Sequence, residues 1–102
     1  MSISIFAIYD RVASTYGTPF YSVNTQTAMR AVSHEVNHTN SMLAQNAADF
    51  ELFELGSFDQ DTCDFALFGF PARICSCAAF VVPEPPRSAQ PSEAESVDKE
   101  VN

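Results

Sequence analysis

The 102-residue sequence contains no tryptophan, only three glycines, five lysines and arginines, and three cysteines. Three scattered glycines provide no Gly-rich loop to cradle a phosphate, and no Ser/His/Asp order assembles a nucleophile. The five basic residues stand against thirteen acidic ones, a formal net charge of −8. That balance disfavours non-specific electrostatic attachment to a phosphate backbone and keeps a small domain soluble. Cys63, Cys75 and Cys77 are an odd set, without the even framework of a disulfide-stapled secreted domain. Buried, inert thiols in a reducing compartment are the expectation. No apolar run is long enough to span a bilayer, and no basic N-terminal region leads into a signal sequence, so no membrane association is expected.

What the chain does have is nine phenylalanines and three tyrosines, enough for an aromatic core. Residues 2–9 alternate and are rich in β-branched and aromatic side chains, which predicts a first strand with Ile3, Ile5 and Ala7 on one face. Asp10 ends it. Residues 11–19 form a polar connection with Gly17 and Pro19, and Phe20 and Tyr21 pack beneath the next element. That element is a helix. Asn24 caps it, Ala28, Met29, Val32 and Val36 line its apolar side, and Gln26, Arg30, Ser33 and Asn37 line its wet side. The run Asn37-His38-Thr39-Asn40-Ser41 ends it, and residues 42–48 form a second short helical turn.

Residues 49–62 organise the second half of the chain. Phe50 to Leu55 reads as a half-buried strand, interrupted at Glu51 and Glu54. Gly56 and Ser57 break the run, and Phe58 anchors its end. Asp59-Gln60-Asp61-Thr62 is a turn of short polar side chains, so Phe65 to Phe70 folds back as an antiparallel partner. Pro71 then suits the first position of a helix over 71–79, with a strand over 74–82 as the competing reading. From residue 83 onward Pro, Ser and Glu dominate and no core can be built. No internal repeat is present.

The expected fold is therefore α+β. Residues 1–82 form one small domain, with an antiparallel sheet of about three strands packed on one main helix, and residues 83–102 form a disordered acidic C-terminal tail. A domain of this size holds only several kcal/mol of stability, so a homo-oligomer that adds burial is an option.

Four constellations bear on chemistry. His34-Glu35-Val36-Asn37-His38 satisfies H-E-x-x-H, which on a helix sets two imidazoles one turn apart around a zinc ion. A third ligand would have to come from Glu51, Glu54 or Asp61, and the polar Thr39-Asn40-Ser41 frays the helix, so incidental surface histidines are the preferred reading. Cys75-Ser76-Cys77 lacks the two-residue gap of a zinc knuckle. Asp59, Asp61 and Asp64 lack the glycine and the closing glutamate of a calcium loop, so a solvated turn is expected. No cofactor or metal follows from any of these. The fourth constellation is a basic and polar patch in which Arg11, Arg30, Gln26, Ser33 and His34 touch phosphates, while Tyr9, Tyr16 or Tyr21 stacks on an unpaired base. Its competitor is an ordinary surface ion pair between Arg30 and an acid such as Asp10.

Several stretches together carry a family resemblance. They are Ala7-Ile8-Tyr9-Asp10, Thr18-Pro19-Phe20, Ala28-Met29-Arg30-Ala31, Asp49-Phe50-Glu51-Leu52-Phe53 and Leu55-Gly56-Ser57-Phe58-Asp59-Gln60-Asp61-Thr62. In order and spacing they resemble the small nonstructural protein of gokushoviruses, the Microviridae branch of single-stranded DNA phages. Cys63 departs from that pattern, which tends to have Gly after Asp-Thr, as do the cysteine-rich segment 74–79 and the acidic tail. The resemblance implies an early, non-capsid and non-enzymatic role in the bacterial host cytoplasm. That role is binding of single-stranded phage DNA during the switch from duplex replication to single-strand synthesis and packaging. The alternative is a protein-interaction module, as a homodimer or otherwise, acting on the phage replication initiator or procapsid. A zinc hydrolase built on His34 and His38 is the remote third reading.

Overall fold

The computed structural model describes residues 1–82. In chain order these form strand β1 (Ser2–Asp10), β2 (Thr15–Tyr16), β3 (Phe20–Ser22), helix α1 (Thr25–His38), α2 (Met42–Gln45), β4 (Phe50–Asp59) and β5 (Phe65–Ser76). Single 3-10 turns at Ala47–Asp49 and Cys77–Phe80 precede β4 and follow β5. The expected disordered tail, residues 83–102, lies outside the described residues.

The α+β class stands, but the sheet has five strands rather than about three. Its order is β2-β1-β4-β5, with β3 also paired to β1, and every pairing is antiparallel. The two additional strands come from the segment read as a polar connection and an aromatic pair. Tyr16 pairs opposite Tyr9, and Phe20 opposite Phe6, so β2 and β3 share one edge of β1 on either side of Gly17 and Pro19. Each has at most three residues, too short for the two-residue alternation to register in the sequence.

Helix α1 forms as its sequence dictates. The Asn24 side chain accepts from the Thr27 N–H at 2.8 Å, a cap worth about 1 kcal/mol. Ala28, Val32 and Val36 are buried on one side, with Met29 half-buried beside them. They meet Phe6 and Leu52 from the sheet, Leu43 from α2, and Ala47 and Cys77 from the two 3-10 turns. All the helical elements thus bury their apolar residues against one sheet face, the side of Phe6, Ile8 and Leu52. Asn37, expected on the wet side, is half-buried. It donates to the Ser33 and Phe80 carbonyls, both at 2.8 Å, and accepts from the Val82 N–H at 3.1 Å.

Two further expectations are corrected. Gly56 and Ser57 do not break the strand, because β4 runs on through them to Asp59. Leu55 is the extra residue of a bulge, since Ile5 pairs with Gly56 while the next residue, Phe6, pairs with Glu54. The bulge is why the apolar alternation from Phe50 looks imperfect. Nor does Pro71 start a helix. Strand β5 continues to Ser76, and between the pairs Gly56–Leu67 and Glu54–Ala72 it accommodates Phe68, Gly69, Phe70 and Pro71 opposite the single residue Leu55. As an edge strand with a bulge, β5 tolerates the proline that a central strand would reject.

The hairpin turn matches its reading. Asp59 Oδ1 accepts from the Asp61 N–H at 2.8 Å, and the Cys63 N–H donates to the Asp59 carbonyl at 2.8 Å. The Asp61 N–H is the main reason the Asp59 carboxyl sits below the usual carboxylate range, with the N-terminal amine contributing. Asp61 in turn pairs with that amine. Cys63 adopts the left-handed conformation, φ 67°.

Candidate nucleic-acid interface

Strand β1 alternates strictly, so Ile3, Ile5, Ala7 and Tyr9 point away from α1. Register carries Phe58, Gly56 and Phe53 of β4 and Leu67, Phe65 and Arg73 of β5 onto the same face. All the apolar helical side chains buried in the core lie on the opposite side. Ile5 and Ala7 are nonetheless 3% and 0% exposed, and ring-bearing residues stand in register beside them, Tyr21 opposite Ile5 and Phe53 opposite Ala7.

Two ring clusters lie on this face. Tyr9 lies 4.7 Å from Tyr16 and 5.9 Å from Phe53 between ring centroids, and Tyr16 meets Phe53 edge-on at 5.4 Å. Further along, Tyr21 meets Phe58 edge-on at 5.9 Å, and Phe58 lies 4.9 Å from Phe65. Tyr16, Tyr21 and Phe65 remain 46%, 49% and 56% exposed. All three tyrosines of the chain thus belong to this face.

Arg73 pairs in register with Phe53, and its Nε donates to Glu51 Oε2 at 2.9 Å, while its side chain stays 53% exposed. A cation beside a half-open aromatic cluster is the arrangement that holds a phosphate while a base stacks on the rings. The ion pair with Glu51 offsets part of that charge.

The sequence-selected residues divide between two sides of the molecule. Tyr9 is in the ring cluster. Arg11 follows it by two residues at the same end of the sheet, where its backbone N–H donates to the Asp49 carbonyl and its guanidinium to the Ala48 carbonyl, each at 2.9 Å. Gln26, Arg30 and His34 are exposed at four-residue spacing on the outer side of α1, beyond the core from Tyr9. The structure therefore brings Tyr9 and Arg11 to one end of the sheet and leaves Gln26, Arg30 and His34 as a separate group. Sequence reasoning misses Arg73 because residues 71–79 read as a helix, and only the competing strand from Ile74 hints at it. Phe53 reads in the sequence as a purely structural residue.

The metal readings gain no ligand set. The His34 and His38 rings lie 4.8 Å apart, but Glu35 Oε2 accepts from the Ser41 hydroxyl at 3.0 Å. Among the described residues no group of three His, Cys, Asp or Glu is placed to hold a metal ion. Cys77 is fully buried, and its thiol is pushed up to about 12, chiefly by burial and secondarily by Cys75, Glu35 and Glu51. Burial also raises the Cys75 thiol, and nearby Arg73 partly offsets the effect. No helix among the described residues is long and apolar enough to cross a membrane.

Residues 3–80 match the model of the family described as Phage ORF5 protein. No curated protein and no solved structure matches the chain.

Proposed function

The chain belongs to the Phage ORF5 protein family, and from that premise we propose that it is a non-catalytic phage nonstructural protein that binds single-stranded DNA on its uncovered sheet face. The observation that carries this reading is the Tyr9–Tyr16–Phe53 ring cluster with Arg73 in register beside it. Base–aromatic stacking tolerates any sequence, and each stacked base contributes about 1–3 kcal/mol. It also needs bases free of a duplex, which suits an acidic protein that long-range electrostatics keeps off double-stranded DNA. Arg11, at the same end of the sheet, and Arg73 supply the phosphate contacts, whereas Arg30 does not take part. In this reading, which the gokushovirus resemblance supports, the binding acts at the switch from duplex replication to single-strand synthesis and packaging, in the bacterial cytoplasm.

With no tryptophan in the chain and all three tyrosines on this face, intrinsic tyrosine emission reports directly on it. Titration with an oligothymidylate should give saturable quenching and a duplex of equal length should give none. With two cations in contact, the log–log salt slope should be about −1.4. Tyr16→Ala should weaken binding about tenfold or more. Arg11→Ala should weaken it less, and Arg30→Ala should leave it unchanged. Absence of quenching at tens of micromolar protein would reject the reading in favour of the alternative, a module that acts on phage replication or capsid proteins without touching DNA.

A further inference from the structure

The outer part of β5 is apolar and exposed at once. From Phe65 to Ala72 the sequence is Phe-Ala-Leu-Phe-Gly-Phe-Pro-Ala, eight residues without a charge in a chain of net charge −8. All of them are exposed, with Leu67 at 65%, Phe68 at 47% and Phe70 at 85%. Among the described residues strand β5 is an edge of the sheet, and its residues 68–71 have no register partner on β4 other than the bulge residue Leu55. A strand apolar on both faces is the signature of one covered on both faces, and contiguous apolar surface of this kind marks an interface.

We propose that the partner is a second copy of this chain, the two β5 strips running antiparallel about a two-fold axis between Phe68 and Gly69. Three observations favour a copy over another protein. The strip has no charge, so two acidic chains can approach there without opposing carboxylates, whereas an interface for a basic partner would present them. Its flanks are complementary to themselves: an antiparallel two-fold sets Asp64 of each copy opposite Arg73 of the other, and Arg73 keeps half its surface free despite its pair with Glu51. The area suffices as well. Phe65, Leu67, Phe68 and Phe70 expose roughly 500 Å² per copy, so that pairing buries roughly 1,000 Å², the lower bound for a specific interface. Pro71 lacks a donor, so side chains rather than a complete backbone ladder hold the copies together. The proposal does not rest on the DNA reading but shares Arg73 with it, so the partner copy's Asp64 and a phosphate would compete for that guanidinium, and pairing at β5 would set two ring-bearing faces side by side.

Sedimentation equilibrium of the full chain from 5 to 100 µM tests it. The expected mass is twice the monomer's 11.2 kDa. The double variant Leu67→Ser, Phe70→Ser alters only exposed positions and should retain its far-ultraviolet dichroism while its dimer dissociation constant rises at least tenfold. Asp64→Arg should weaken the dimer about fivefold and Asp64→Glu should preserve it. Three results would overturn the proposal: a wild-type chain monomeric at 100 µM, including one that captures a different phage protein through Phe70; a dimer indifferent to the serine pair; or a dimer that Asp64→Arg leaves intact.

Discussion

Gly56 and Ala66 approach so closely across the β4–β5 pair that no side chain fits between them. A Cβ on Gly56 would stand 2.3 Å from the Ala66 carbonyl oxygen and 2.7 Å from the Leu67 Cα, and Gly56 itself holds φ +152°. Backbone crowding and a conformation rarely open to L side chains both demand glycine here. The bulge at Leu55 lies next to Gly56, and the same irregularity leaves residues 68–71 between the pairs Gly56–Leu67 and Glu54–Ala72.

Gly56→Ala should therefore lower stability by about 2–4 kcal/mol, the combined cost of the strained φ and a displaced strand. Urea unfolding followed by circular dichroism measures it. An unchanged midpoint would show that β5 can move away without loss.

Asn37 ties the end of the described chain to α1 through the Phe80 carbonyl and the Val82 N–H. Asn37→Ala removes these bonds together with the one to Ser33 and should cost about 1–2 kcal/mol. Hydrogen exchange at the Val82 amide should quicken more than exchange at amides within β1. Asn37→Asp keeps the acceptor for Val82 and loses the donor to Phe80, so its Val82 amide should stay better protected than in the alanine variant.

Cys63 sits in the left-handed region where the resembled family tends to have glycine. That conformation costs a side-chain-bearing residue about 1–2 kcal/mol, while glycine adds entropy to the unfolded chain. Cys63→Gly should come out more stable by a few tenths to about 1 kcal/mol, and Cys63→Val less stable by about 1 kcal/mol or more, since β-branching worsens a positive φ. Thermal melts of the two variants would settle the sign. Cys63 is also the one exposed thiol of the three. A thiol reagent should modify it at once in native protein and reach Cys77 only on unfolding.

The Cys77 thiol ties stability to alkaline pH. Its ordinary value is 9.0 and the folded value is about 12. Its contribution is complete below pH 9. As pH rises further the unfolded thiol ionises while the native one keeps its proton, so stability falls by roughly 1.4 kcal/mol per pH unit until the folded group titrates. Cys77→Ala should lower stability at pH 7 by about 1–2 kcal/mol, because it leaves a small void. Between pH 9 and 10.5 its stability should decline less steeply than that of the wild type. Parallel slopes would show that Cys77 is not shielded as the structure has it.

Elements governed by neighbours close in the chain are legible in the sequence alone. The Asn24 cap, the Ala28–Val32–Val36 side of α1 and the Asp59 turn depend on contacts within about four residues, and such contacts are written in local spacing. So is the family, through Leu55 to Thr62 and the stretches that accompany it. The sheet faces are another matter. Which side of β1 remains uncovered, that Arg73 lies beside Phe53, and that β5 runs from Phe65 to Ser76 all depend on cross-strand register. A single bulge residue shifts that register for the whole edge. Asn37 shows the same division: its helical position is local information, but its partners at Phe80 and Val82 lie more than forty residues away. Sequence alone named Tyr9, Tyr16, Arg11 and Arg30 but neither Phe53 nor Arg73, and only tertiary packing decided that Tyr9, Tyr16 and Phe53 form one surface while Arg30 lies on another.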